Sequence, residues 1–144
     1  MEGKKKRVMF LCTGNSVRSQ MAEGFLRALS GSSIEVRSAG IFPAGLHPRA
    51  VAVMKEAGID ISGQYSKEMD RRLISNMDIV ITLCGNAEEV CPQTPPSVKR
   101  IHWPIKDPIG AVGTEEGIMG EFRKARDEIK MRVEKIIKEL NKGQ

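Results

Sequence analysis

A chain of 144 residues supplies one hydrophobic core and not two, so a single domain spanning 1–144 is expected. With 40% hydrophobic and 28% charged residues, the composition is that of a soluble globular protein, which excludes whole-chain disorder, collagen-like repeats and small disulfide scaffolds. The formal net charge of +5 is modest and sits partly in the run Lys4-Lys5-Lys6-Arg7, read as a solvated basic end; aromatics are 4% of the chain and scattered, which argues against nucleic acid as a partner.

Val8 to Cys12 is a short continuous apolar run, the pattern of a strand buried on both faces. A helix is expected from about Ser19 to Ser30, with Ala22, Phe25, Leu26 and Leu29 on one face and Gly31 as its left-handed stop. Ile34 to Ser38 reads as a second strand. Pro48 opens a helix with Ala50, Val53, Met54 and Ala57 inward and Gly58 as terminator. Ser66 is expected to cap a further helix through about Ser75, with Met69, Leu73 and Ile74 inward. Asp78 to Cys84 and Arg100 to Trp103 read as two more strands. From Thr114 to Asn141, Ile118, Phe122, Ala125, Ile129, Val133, Ile136 and Leu140 step by three or four residues, a helical period.

Strands alternating with helices imply an α/β fold: a four-stranded parallel sheet with helices on both faces. Ligands of such sheets bind beyond the carboxyl ends of the strands. No apolar run reaches membrane-spanning length, so no membrane partner is expected. The basic N-terminus is followed by only five apolar residues, which does not make a signal peptide, so a cytoplasmic location is expected. There the three cysteines rest as thiols unless chemistry oxidises them.

The segment Cys12-Thr13-Gly14-Asn15-Ser16-Val17-Arg18-Ser19 joins the first strand to the first helix. A loop that enters a helix N-terminus offers several N–H groups to an anion, and the helix dipole adds positive potential. Gly14 is read as the residue that permits the turn. Arg18 can hold a tetrahedral oxyanion through two parallel hydrogen bonds. The same field favours a thiolate at Cys12, Ser19 is placed to donate to its sulfur, and Cys12 becomes a nucleophile. A nucleotide phosphate loop is excluded because the Gly-Lys-Ser/Thr ending is missing.

The run CTGNSVRSQMAE (12–23) resembles the phosphate loop of the low-molecular-weight protein tyrosine phosphatases. It is still more similar to that of their relatives, the thioredoxin-coupled arsenate reductases. The similarity continues through SAG (38–40), HP (47–48), GIDIS (58–62), ITLCGNAEEVCP (81–92) and WPIKDP (103–108), and covers most of the chain.

Cys84 and Cys91 are separated by six residues, which is not a zinc spacing; on the residues alone, a redox pair and two structural cysteines are both open. The resemblance implies that Cys12, Cys84 and Cys91 are the nucleophile and the two redox cysteines. It also implies that Asp107, before Pro108, is the general acid; an oxyanion beside that carboxyl favours its protonated form. Ile109 and Gly110 follow where the phosphatases usually carry aromatics that grip a phosphotyrosine ring. Val17 stands where many arsenate reductases have a further cysteine, which implies retained activity and less off-pathway oxidation. Asn15, Glu23 and Ser38 match residues that help bind potassium in some members, while the fourth ligand has no clear counterpart. The implied function is reduction of arsenate to arsenite by a three-cysteine relay. The implied partners are an arsenate or phosphate oxyanion and thioredoxin, and no metal cofactor is called for. The rival readings are a phosphatase for phosphotyrosine or small phosphomonoesters, and a non-enzymatic oxyanion or redox sensor. The eight Met residues are read as core filler, Trp103 as a packing residue, and His102 is given no role.

Overall fold

The computed structural model describes residues 5–83 and 94–142. Its elements are β1 (Lys6–Cys12), α1 (Arg18–Ser30), β2 (Ile34–Gly40), α2 (Pro48–Glu56), α3 (Arg71–Ser75), β3 (Ile79–Thr82), β4 (Lys99–His102), a 3-10 turn (Pro108–Gly110) and α4 (Glu115–Lys142). The four strands form one sheet in the order β2-β1-β3-β4, and every pairing is parallel.

The alternation of side chains along β1 decides what each face of the sheet covers. Val8, Phe10 and Cys12 point into the larger core with Met21, Phe25, Val53, Phe122 and Ile129, contributed by α1, α2 and α4. Met9 and Leu11 point the other way, against Ile74, Met77, Val80 and Val98. β1 is thus buried on both faces and paired on both edges, which is why its sequence is an unbroken apolar run.

Thr114 Oγ1 accepts from Gly117 N–H at 3.0 Å and caps α4. Phe122, Ala125, Ile129, Val133 and Ile136 are its buried stripe. Burying each of the larger of these side chains is worth about 1.5–3 kcal/mol, so the stripe anchors the helix far more strongly than its surface ion pairs do.

Three expectations are corrected. The segment 66–75 is helical only from Arg71 to Ser75, and its cap is Asp70, whose carboxylate accepts from Arg72 N–H at 2.8 Å. Ser66 Oγ instead accepts from Gly45 N–H at 2.7 Å, and Glu68 forms a parallel bridge with Gly40. Tertiary pairing along the end of β2 outweighs the local capping preference. Leu29 is 44% exposed, because α1 runs past the edge of the core in its last turn. Ala57 lies beyond α2 and is exposed. Trp103 packs as expected, buried and tilted against Phe10 with ring centroids 5.7 Å apart.

Candidate active site

The chain crosses from β1 to β2 on one side and reaches β3 on the other, so the strand order reverses beside the carboxyl end of β1. Cys12 ends that strand and is buried at the reversal, where open α/β sheets place their ligands.

The loop after Cys12 is built by outward-turned carbonyls. Thr13 O accepts from Phe42 N–H at 2.8 Å, Gly14 O from Ala44 N–H at 2.9 Å and Ser16 O from His47 N–H at 3.0 Å. Asn15 O accepts from Gln20 Nε2 at 2.9 Å. Peptide planarity with trans bonds then directs the N–H groups of Gly14, Asn15, Ser16 and Val17 to the inner side. Asn15 takes a left-handed φ of 49°, the kink that gathers successive N–H groups into an anion nest. Val17 precedes α1 without a side-chain cap, so the first-turn N–H groups of that 13-residue helix stay available to an anion.

The polarity of the hydrogen bonds around the sulfur follows from one amide. Lys67 N–H donates to Asn15 Oδ1 at 2.8 Å, which fixes the orientation of the Asn15 side chain. Asn15 Nδ2 therefore donates to Ser19 Oγ at 2.7 Å and to Ser38 Oγ at 2.9 Å. Ser38 in turn donates to Glu23 Oε1. Ser19 Oγ accepts from Asn15 and keeps its O–H available to donate to Cys12 Sγ, 2.9 Å away. This is the arrangement that stabilises sulfur as an anion.

Arg18 is buried beneath the ends of β3 and β4. Its Nη1 donates to Ile105 O at 2.8 Å and to Leu83 O at 3.4 Å, and its Nη2 pairs with Asp107 Oδ2 at 3.0 Å. Asp107 uses its other oxygen to cap the 3-10 turn, accepting from Ile109 N–H at 3.0 Å. Asp107, far along the chain, is thus joined through Arg18 to the loop that carries Cys12 and Ser19. Cys84 and Cys91 lie outside the described residues. Val17 is buried in the larger core, so hydrocarbon fills that position beside Arg18.

The glycine that the site needs sterically is Gly40, not Gly14. A Cβ on Gly14 would make ordinary contacts, the nearest to Ala44 Cβ at 3.4 Å, whereas one on Gly40 would lie 2.8 Å from Asn15 N and 2.9 Å from Thr13 O. Gly40→Ala is therefore expected to push the loop off its seat at a cost of about 1–3 kcal/mol. Thermal melts and a phosphate titration check this; an unchanged melt would mean the backbone gives way freely.

Gln20, Gln64 and His47 also escaped sequence reasoning. Gln64 Nε2 holds Gln20 Oε1 at 2.7 Å, and Gln20 holds Asn15. His47 Nδ1 accepts from Arg49 N–H at 3.1 Å, so the ring proton sits on Nε2; burial, then the Arg49 charge, lowers its pKa, which keeps the ring neutral near pH 7. Gln20 is buried and Gln64 partly so, and neither carries a sequence signal that would have singled it out.

Asn15, Glu23 and Ser38 do come together, but they do not fit a potassium ion. They bond to one another, and the buried Glu23 carboxylate already faces Arg27 Nη2 at 2.6 Å and Lys67 Nζ at 3.7 Å. Among the described residues no cluster of His, Cys, Asp or Glu suits a metal, and no helix is long and apolar enough to cross a membrane.

The family model for low molecular weight phosphotyrosine protein phosphatases matches residues 7–144. The chain belongs to that family. Within it, the chain is 53% identical over 131 residues to an arsenate reductase of Bacillus licheniformis, covering 91% of this chain and 94% of the relative. Among solved structures, a thioredoxin-dependent arsenate reductase of Corynebacterium glutamicum superposes with a TM-score of 0.81 at 30% identity, over 100% of this chain and 66% of that one. An arsenate reductase in a phosphate-binding state superposes with a TM-score of 0.75 at 38% identity, over 93% of this chain and 98% of that one.

Proposed function

We propose that this chain reduces arsenate to arsenite, as part of arsenic detoxification. The observation that carries the reading is Cys12 Sγ on the floor of an N–H-lined loop, with Ser19 Oγ at 2.9 Å, in a chain 53% identical over 131 residues to an arsenate reductase.

Arsenate enters the loop and is held by the inward N–H groups and by Arg18, displacing Asp107 from Nη2. Cys12 thiolate attacks arsenic(V), and Asp107 delivers a proton to the departing oxygen, which leaves as water. Cys84 thiolate then attacks Cys12 Sγ. The sulfur–arsenic bond breaks, its electron pair goes to arsenic, and arsenite leaves. Cys91 thiolate attacks Cys84 Sγ, forming the Cys84–Cys91 disulfide and releasing Cys12. A thioredoxin-type dithiol supplies the two electrons that reopen this disulfide, in a cytoplasmic, reducing setting. The residues involved hold and move protons and thiolates without help from a metal.

The second reading is phosphomonoester hydrolysis. The assembled set of Cys12, Arg18 and Asp107 supports it, because hydrolysis needs neither Cys84 nor Cys91.

Cys84→Ser and Cys91→Ser separate the two. Each variant is expected to lose multiple-turnover arsenate reduction by about 100-fold or more while hydrolysing p-nitrophenyl phosphate at the parent rate. Mass spectrometry after one arsenate turnover without reductant should find Cys84 linked to Cys91 in the parent protein and Cys12 linked to Cys84 in the Cys91→Ser variant. Normal arsenate turnover by both variants would refute the relay; hydrolysis without arsenate turnover in the parent protein would favour the second reading. A sensor would show neither activity.

A further inference from the structure

The hydrogen-bond chain that sets the polarity at Cys12 ends on a buried carboxylate. Running outward, Ser19, Asn15 and Ser38 lead to Glu23, which is 5% exposed. A carboxylate at that depth needs a positive partner, since an unpaired buried charge is strongly destabilising.

Lys67 supplies one from within the chain. Its Nζ donates to Tyr65 O at 2.6 Å, stands over the Tyr65 ring at 4.7 Å from the centroid, and lies 3.7 Å from Glu23 Oε1. A backbone carbonyl, a ring face and a carboxylate thus surround a single ammonium, as they would a bare monovalent cation. Lys67 is tied to the loop a second time, because its own N–H orients Asn15. Burial lowers the Lys67 pKa, and the Glu23 charge beside it opposes that. Arg27 holds the other Glu23 oxygen from the solvent side, with its side chain half exposed.

We propose that the Lys67 ammonium takes the place of a monovalent cation beside Glu23, so that the alignment of the Cys12 loop is independent of potassium. Lys67 acts as a positioning residue, through Glu23, Ser38 and Asn15. The inference holds whether the loop serves arsenate reduction or phosphoester hydrolysis.

Two readouts test it on the full chain, in potassium chloride and in tetramethylammonium chloride at equal ionic strength. The first is the thermal midpoint; the second is the rate at which iodoacetamide alkylates Cys12 at neutral pH, followed by peptide mass spectrometry. The parent protein and Lys67→Arg are expected to give the same values in both salts. Lys67→Asp places a second carboxylate beside Glu23 and should draw a cation from solution. Its midpoint should rise saturably with potassium, and its Cys12 should react about two- to tenfold more slowly without potassium than with it. Lys67→Gln, which adds no charge, should show the same dependence more weakly and serves if the aspartate variant does not fold. Saturable stabilisation of the parent protein by potassium would overturn the proposal, as would variants that respond identically in the two salts. Neither readout uses turnover, so failure here is distinguishable from failure of the functional reading.

Discussion

Cys12→Ser is expected to lower kcat/KM for both arsenate and p-nitrophenyl phosphate by about 10,000-fold or more, the scale on which enzymes lose rate when their nucleophile is removed. The reason lies in what surrounds the sulfur. Its near neighbour is Ser19 Oγ at 2.9 Å, a hydroxyl whose proton is pointed at Sγ by the amide of Asn15. No strong base lies beside position 12 in that arrangement; its neighbour is a hydroxyl. A thiol can ionise into it, whereas a serine hydroxyl, far less acidic, stays protonated and inert. The N–H groups of 14–17 and Arg18 are untouched by the change, so binding of phosphate should persist. Calorimetric titration with phosphate alongside the two activity assays checks both halves. Retained turnover would mean that another group attacks the oxyanion.

Arg18→Lys is expected to lower kcat/KM by about 1,000-fold, comparable with the loss of an oxyanion-binding donor elsewhere. The guanidinium performs two tasks with one planar fork: Nη1 is spent on Ile105 O and Leu83 O, and Nη2 faces Asp107 and the anion site. A lysine ammonium is a single point and cannot bridge a strand-end carbonyl and an anion together. If it turns to the anion, the buried carbonyls of Ile105 and Leu83 lose their partner, at about 1–3 kcal/mol. The variant should therefore also melt earlier, and phosphate should bind more weakly in calorimetry. Parent-like activity would show that the loop amides alone hold the oxyanion.

Where each element's structure came from local pattern, the sequence was readable. β1 is an apolar run because both of its faces are covered, and α4 repeats every three or four residues because one stripe meets the core. The strand–loop–helix context of Cys12 and Arg18 was legible for the same reason. What stayed hidden depends on partners distant along the chain. Ser66 looked like a helix cap, but Gly45 N–H claims its hydroxyl, 21 residues away. Gly14 looked like the indispensable glycine, yet the close approach belongs to Gly40, which meets the loop only once β2 is laid beside β1. Lys67 carries no motif at all; its role depends on a carboxylate 44 positions earlier. Cys84 and Cys91 could be singled out through resemblance, because two cysteines six residues apart do not define a chemistry by spacing.

The pairing of β1 on both edges bears on the repeated sulfur exchange that the proposed relay requires. Interior strands of a sheet tend to open only with much of the domain, so the backbone that leads to Cys12 is expected to be among the slowest to exchange its amide protons. The sulfur that makes first contact with the anion is therefore mounted on the stiffest girder available. Its bonds can be made and broken many times without the mounting working loose.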